Sequence, residues 1–212
     1  MQDAFGGGWT QESHLTAEVQ GSLRDLNHRF LDLAASRARE WSPRGGFPAD
    51  FAGRAARLSG AQRAAAADCP YALFDLRFQD DGHWRLRLQN LEAWRVADEA
   101  VPGDATVGFV RLALFYAWHV ASGPGLKAQL LLGVNGSTAA QLRRITVDQL
   151  PALVATESAN LSARWADCAA FWDALMSAAS RADAAALRRI QLQGLQLAAA
   201  DRLRKPFGQE GG

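Results

Sequence analysis

The stretch LKAQLLLGVNGSTAAQLRRITVDQLPALVAT, residues 126–156, decides the fold class of this chain. Gly133 ends an apolar run at a position where many helices finish on a left-handed glycine. Asn135 to Thr138 then offer side-chain oxygens that can cap the first turn of a new helix. Thr146 and Gln149 have the spacing of a capping box, in which each side chain bonds the backbone N–H of the other residue. The stretch therefore predicts three short helices separated by two tight turns.

The chain that surrounds this stretch shows helical spacing from residue 105 onwards. Apolar residues recur every three or four positions, and they predict helices over 106–122, 126–132, 137–145, 147–156, 160–180 and 183–203. The first of these is apolar on nearly every side, which is typical of a helix at the centre of a core or one shared between subunits. We predict that it forms a dimer interface through its larger apolar side chains, namely Phe109, Leu112, Phe115, Tyr116 and Val120.

The residues before the VPGD boundary at 101–104 predict a separate, mixed domain over 14–100. Helical spacing predicts helices over 15–41 and 49–68, and SPRGGFP separates them. Residues 74–88 alternate apolar and charged side chains around a QDDG turn, which favours a β-hairpin with one apolar face. A helix over 88–94 is an alternative that the periodicity leaves open. The termini, 1–13 and 205–212, predict a flexible arm and a flexible tail, and the fold class expected for the whole chain is mainly α.

The composition is that of a folded protein with almost no net charge. Of 212 residues, 49% are hydrophobic and 21% charged, and 23 basic against 22 acidic residues leave a net charge of +1. A uniformly basic nucleic-acid binder is excluded, so a DNA-binding surface would have to be a local patch. The first residues lack a signal-peptide pattern, and the longest apolar run, 107–121, is too short to span a bilayer. We expect a cytoplasmic protein without a membrane partner.

No combination of residues predicts catalysis or metal binding. Cys69 and Cys168 lie far apart in sequence, without the paired spacing of a zinc site or the density of a disulfide framework. Cys69 and His83 could be read as a nucleophile and a base. However, Cys69 comes at the end of a predicted helix, where the helix dipole does not lower a thiol pKa, and no orienting group accompanies the two residues. We therefore expect a protein that is not an enzyme and needs no cofactor.

The helical half resembles the FlhD family, the helical subunit of the bacterial flagellar transcriptional activator. The resemblance covers residues 105–204 and is carried by a long apolar helix, LLLGVN at 130–135, LRRIT at 142–146 and VDQLPALVATESANL at 147–161. The family is all-α, forms dimers through its helices and acts on promoter DNA with a zinc-binding partner subunit. The resemblance thus implies a dimer with the long helix in its interface. Residues 1–104 have no identified counterpart in the family, and SARWAD at 162–167 departs from its pattern.

Arginines in the helical half are the candidates for a DNA-binding patch. They occur as two adjacent pairs and one single residue, and they are Arg143, Arg144, Arg181, Arg188 and Arg189. Such side chains can neutralise phosphates, although charged pairs on helices are commonly just solvated. We expect a cytoplasmic transcriptional regulator that acts as a homodimer with duplex DNA, a regulatory partner subunit, or both. The alternative is a protein–protein adaptor or assembly factor that uses the same helical dimer without binding DNA.

Overall fold

Helices make up most of the chain, as the sequence predicts. The computed structural model describes residues 8–41, 46–90, 104–123 and 125–203. The elements are, in order, α1 (Gly8–Ser36), α2 (Ala38–Trp41), α3 (Phe51–Arg57), α4 (Gly60–Ala67), β1 (Phe74–Asp75), α5 (Asp81–Gln89), α6 (Ala105–Ser122), α7 (Gly125–Leu132), α8 (Gly136–Leu142), a 3₁₀ turn (Val147–Gln149), α9 (Leu150–Glu157), a second 3₁₀ turn (Ser158–Asn160), β2 (Ser162–Ala163), α10 (Ala169–Ser180) and α11 (Ala184–Leu203). The prediction of a mainly α fold is confirmed.

The predicted β-hairpin over residues 74–88 is wrong. Its second half is helix α5, which begins where the Asp80 side chain accepts a hydrogen bond from the backbone N–H of His83 at 2.9 Å. The alternating pattern gave a wrong prediction, because Trp84 and Leu88 are four residues apart and therefore also share one face of a helix. Trp84 is fully buried and Leu86, between them, is 62% exposed, so the helical period decides which side chains are inside.

Several predicted boundaries also differ from those of the structure. The helix α1 begins at Gly8, within the predicted arm, and the predicted helix over 49–68 is two helices because Ser59 forms a capping box with Gln62 at the start of α4. The helix predicted from residue 160 begins only at Ala169, since β2 and a turn with Trp165 at φ 53° precede it. Residues 1–7 of the arm, the tail from 204 and most of the 88–94 alternative lie outside the described residues.

The hydrophobic core is continuous across the boundary predicted at residues 101–104. The ring of Phe30 in α1 lies 5.7 Å from that of Phe109 in α6, and the Tyr116 hydroxyl donates to the Val19 carbonyl at 2.9 Å. The two predicted domains therefore share one core.

Residues 46–62 and 133–149 repeat the same local structure at positions 87 residues apart. Gly46 and Gly133 both have a positive φ, of 94° and 72°. Each glycine is followed by a short helix, α3 or α8, and then by a capping box, which pairs Ser59 with Gln62 in one case and Thr146 with Gln149 in the other. Few residues are identical between the two segments. The repeat is therefore visible in the backbone rather than in the sequence.

The strands show how the two repeats are related. Phe74 pairs with Ala163 and Asp75 with Ser162 in an antiparallel register. In the strands, equivalent residues are 88 positions apart, so Phe74 is equivalent to Ser162 and Asp75 to Ala163. Phe74 therefore pairs with the equivalent of Asp75, and Asp75 pairs with the equivalent of Phe74. Because antiparallel pairing of equivalent strands requires a two-fold rotation, the repeats are related by a pseudo-two-fold axis that passes between β1 and β2.

The equivalence extends beyond the strands in both directions. Arg77 and Trp165, which are 88 residues apart, share a positive φ of 56° and 53°, and the helices α5 and α10 follow them. The helices α1 and α6 are equivalent with a spacing of 87 residues, since the same positions of both are buried. The buried pairs are Leu23 and Val110, Leu26 and Ala113, Asn27 and Leu114, Phe30 and Ala117, Leu33 and Val120, and Ala34 and Ala121. The chain is thus a tandem repeat that folds as an intramolecular pseudo-dimer.

Gly194 allows α11 to contact the buried ring of Tyr71. A Cβ atom at this position would overlap with Oη and Cζ of Tyr71. We expect Gly194→Ala to lower the free energy of unfolding by about 1–3 kcal/mol, because overpacking forces the helix or the ring to move. Urea unfolding followed by tryptophan fluorescence measures this change.

The same substitution at Gly108 is a matched control for Gly194→Ala. Gly108 lies inside α6 and is exposed, and a Cβ there would meet no atom within 4 Å. We expect Gly108→Ala to raise the free energy of unfolding by up to about 1 kcal/mol, since alanine is the better helix former. Equal effects of the two substitutions would contradict the steric explanation.

Candidate functional site

The side chains of the predicted dimer interface divide into two groups. Phe109, Tyr116 and Val120 are buried in the core of their own chain, whereas Leu112 is 45% exposed and Phe115 is 36% exposed. The apolar character of α6 on nearly every side reflects its central position within one chain, where it packs against its equivalent, α1, and against α7, α8 and α9. Only Leu112 and Phe115 remain available to a second molecule.

The five arginines predicted to bind DNA are all exposed, but they lie on different elements. Arg143 and Arg144 follow α8, whereas Arg181, Arg188 and Arg189 lie at the turn between α10 and α11 and on α11 itself. Asp183 caps α11 by accepting a hydrogen bond from the Ala186 N–H, and this bond lowers the pKa of its carboxyl with a contribution from the nearby arginine charges. Within the part of the chain that the structure describes, no side-chain contact joins the two groups.

Arg144 lines a groove between α5 and the end of α8, which we name the α5–α8 groove. Its volume is about 470 Å³, within the range of roughly 300–1,000 Å³ that ligand-binding pockets occupy. The floor contains Leu88 and Ile145, and the rim carries Arg85, Gln89, Arg144 and Gln149. No acidic residue lines it among the residues described. Asp81, at one end of α5, is paired with Arg85 and accepts a hydrogen bond from Gln141.

The pseudo-two-fold axis places an equivalent groove on the other side of the molecule, between α3 and α10. Its lining includes Arg57, Leu58 and Met176, which are the equivalents of Arg144, Ile145 and Leu88. This α3–α10 groove has a volume of only about 230 Å³. The molecule thus has two grooves of common origin and different size.

The α3–α10 groove is crossed by side chains that narrow it. Arg54 on α3 forms an ion pair with Asp173 on α10, and Gln62 donates to the Ser180 carbonyl at 2.8 Å. The residues equivalent to Arg54 and Asp173 in the α5–α8 groove are Gln141 and Arg85, which cannot form the same ion pair. The larger groove lacks that ion pair, and there Gln141 and Arg85 both contact Asp81 instead.

A buried polar cluster holds α5, one wall of the α5–α8 groove, against α9. Glu157 is fully buried, and its carboxylate accepts hydrogen bonds from Asn160 at 3.0 Å and lies 2.8 Å from Nε2 of His83. Arg87 contributes an ion pair with Glu157 at 3.1 Å. The sequence interpretation missed this cluster, because no local pattern distinguishes Glu157 from an exposed glutamate at the end of a helix.

A second buried charge, Arg164, connects the centre of the fold to α11. Its guanidinium donates to Asp201 at 3.2 Å and to the Leu131 carbonyl at 3.3 Å, and lies over the ring of Trp165 at 4.5 Å from the ring centre. Burial lowers the pKa of Arg164, and the charge of Asp201 opposes that shift. Gly133 accommodates this side chain, since a Cβ there would lie 2.6 Å from its terminal nitrogen. The SARWAD segment therefore serves a structural purpose.

Cys69 does not have the environment of a catalytic thiol. Cys69 is fully buried, its Sγ lies 3.3 Å from the Ala66 carbonyl oxygen, and burial raises the pKa of its thiol to about 12. A thiol with this pKa is almost entirely protonated near neutral pH and is a poor nucleophile. Within the described ranges, no group of three or more His, Cys, Asp and Glu residues could hold a metal ion.

Compared with protein-family models, curated proteins and solved structures, the chain matches none. Among the described helices, none is long and apolar enough to cross a membrane. The functional interpretation therefore rests on the geometry of the grooves and on the tandem repeat.

Proposed function

We propose that this chain is a non-catalytic protein–protein adaptor in a regulatory assembly. The observation that carries the proposal is the packing of α1 against its equivalent α6, which builds a pseudo-dimer from one chain. A symmetric dimer necessarily presents two identical faces, whereas a tandem repeat lets each face change independently. The α5–α8 groove and the α3–α10 groove, which are equivalent in the repeat, differ in this way in their volume and in their charged residues. The resemblance of residues 105–204 to the FlhD family suggests transcription as the process that is regulated.

The stoichiometry of the protein in its host tests this proposal. Native mass spectrometry of the isolated complex is expected to find one copy of the chain bound to a different protein, because most apolar side chains of α6 are already buried within its own chain. A homodimer that Phe115→Glu converts to monomers would instead show that the exposed Leu112 and Phe115 form a subunit interface. That result, or a chain that carries no other protein, would contradict the adaptor function.

A second candidate function is binding to duplex DNA. It is favoured by the five exposed arginines predicted from the sequence, none of which forms an ion pair with another described residue, whereas Arg24, Arg57 and Arg63 are paired with aspartates. Arginines that neutralise DNA phosphates displace the counterions condensed on the DNA, so the affinity for DNA should fall steeply as the salt concentration rises.

A salt titration with nonspecific duplex DNA separates this candidate from the adaptor. DNA binding predicts measurable affinity at low salt, and predicts that the double substitution of Arg188 and Arg189 by alanine reduces it. Arg24→Ala is the matched control, because Arg24 is equally exposed but lies 2.6 Å from Asp68. Affinity that is undetectable at low salt, or that responds equally to both variants, would exclude binding through these arginines.

A further inference from the structure

We propose that the α5–α8 groove binds an acidic, amphipathic helix of a partner protein. This inference rests on the proposed adaptor function and specifies the surface and the partner chemistry that it uses. Three observations support it: the distribution of charge and apolar surface in the groove, the closure of its pseudo-symmetric equivalent, and the rigid support of its walls.

The surface of the groove is complementary to a helix with one apolar and one acidic face. Its floor is apolar, formed by Leu88 and by Ile145, which is only 5% exposed, and its rim carries Arg144 together with Arg85, which is paired with Asp81. Arg144 forms no ion pair with another described residue. A glutamate or aspartate beside an apolar side chain could therefore pair with an arginine while the apolar side chain enters the groove, as in other helix-in-groove interfaces.

An exposed apolar side chain also lies beside the groove in the sequence. Val147 is 53% exposed and lies between Ile145 and Gln149, which both line the groove. Large apolar side chains that are exposed next to a polar-rimmed groove are typical of protein interaction sites. The phosphate backbone of DNA could pair with the arginines but would leave this apolar side chain uncovered, so a protein partner fits the surface better.

The equivalent α3–α10 groove shows that an open groove does not follow from the fold alone. There the arginine at the position of Gln141, Arg54, reaches across to Asp173, and the groove is only about 230 Å³ in volume. The other arginine, Arg57, is paired with Asp50 at 2.6 Å. The positive charges of the closed groove are thus neutralised within the chain. In the open groove, Arg144 is left for a partner.

The walls of the open groove are held in place before a partner binds. The Glu157 cluster attaches α5 to α9, and Gln141 on α8 donates to Asp81 on α5 at 2.9 Å. A preorganised surface loses little conformational entropy on binding, which favours affinity. The groove therefore has the rigidity expected of a docking site.

A displayed library of helix-forming peptides tests the proposal on the full-length protein. The exposed positions of the peptide are randomised among leucine, alanine, glutamate and lysine. We expect enrichment of peptides with leucine on one face and glutamate beside it, and about a tenfold weaker Kd for the enriched peptide when its glutamates are changed to lysine, which corresponds to about 1.4 kcal/mol. Enrichment of lysine-rich or uncharged peptides, or of none, would overturn the proposal.

The pseudo-symmetry supplies a matched pair of variants. Arg144→Ala is expected to weaken binding of the enriched peptide about tenfold, because it removes the arginine at the rim that forms no ion pair with another described residue. Arg57→Ala makes the same change at the equivalent position of the closed groove and should leave the Kd unchanged. Equal effects of the two variants would place the peptide elsewhere. Joint replacement of Arg85 and Arg144 by glutamate should reverse the preference to lysine-bearing peptides.

The outcome for the groove can be distinguished from the outcome for the adaptor function. If the Arg144→Ala protein selects the same peptides but is still isolated with another protein, the groove assignment fails and the adaptor function stands. If no other protein accompanies the wild-type chain in its host, the adaptor function itself fails. An enriched peptide that only promotes association between two copies of the chain would also overturn the assignment, since the proposed ligand is a different protein.

Discussion

Replacement of Asn27 by leucine is expected to lower the free energy of unfolding by about 4 kcal/mol. The Asn27 side chain is fully buried, and it donates to the Tyr71 carbonyl at 2.9 Å and accepts from the Leu73 N–H at 2.8 Å. Leucine has a similar size but no polar atoms. It would leave both backbone groups buried without a partner, at about 1–3 kcal/mol each, and further loss follows if the chain shifts to reach water.

Guanidinium unfolding, with the midpoint read from tryptophan fluorescence, measures the effect of Asn27→Leu. Asn90→Leu is the matched control, because Asn90 is exposed and its side chain donates to the Leu86 carbonyl at the end of α5. We expect the control to change stability by less than about 1 kcal/mol. If Asn27→Leu has no larger effect than the control, the segment from residue 67 to 73 does not depend on this side chain.

Replacement of Glu157 by alanine is expected to lower the free energy of unfolding by about 3–5 kcal/mol. The carboxylate is fully buried, and its removal takes one ion pair from Arg87 and the acceptor at 2.8 Å from His83. Removing one member of a buried polar cluster is costly, because the buried groups that were positioned around it lose their interaction with it. The same substitution should loosen α5 and so weaken binding in the α5–α8 groove.

The exposed pair of Glu40 and Arg37 is the control for this prediction. Their side chains lie 2.7 Å apart, and that of Glu40 is 62% exposed. Since exposed ion pairs contribute about 0–1 kcal/mol, Glu40→Ala should change stability little. Both variants are compared with the wild type by chemical denaturation at one pH. Similar losses for the two would show that Glu157 is not held in a buried network.

The α5–α8 groove could not have been predicted from the sequence, although one of its residues was singled out. Arg144 is a candidate because two adjacent arginines are visible in any sequence. Its position opposite Arg85, which is separated from it by 59 positions, depends on how two helices pack. The ion pair between Arg54 and Asp173, which closes the other groove, joins residues 119 positions apart. Local patterns carry no information about such pairs.

The sequence by itself determined the mainly α fold class and, after residue 104, where most of the helices end. Capping boxes, glycines at helix ends and three-to-four residue spacing act within one or two turns, so Thr146 with Gln149 and the extent of α6 could be derived without tertiary structure. For short segments, the sequence pattern did not distinguish a helix from a strand. The alternating residues 83–88 satisfy both a strand and one face of a helix, and only the burial of Trp84 selects the helix.

The tertiary structure alone decided what the apolar helix α6 packs against. A sequence shows that a helix is apolar, but not whether the surface that covers it comes from the same chain or from another. Here the cover comes from the same chain, from α7, α8 and α9 and from α1, the equivalent helix of the first repeat. The helices α1 and α6 share buried positions 87 residues apart with little identity. Packing constrains the size and polarity of side chains rather than their identity. The repeat therefore persists in backbone angles, caps and strand register.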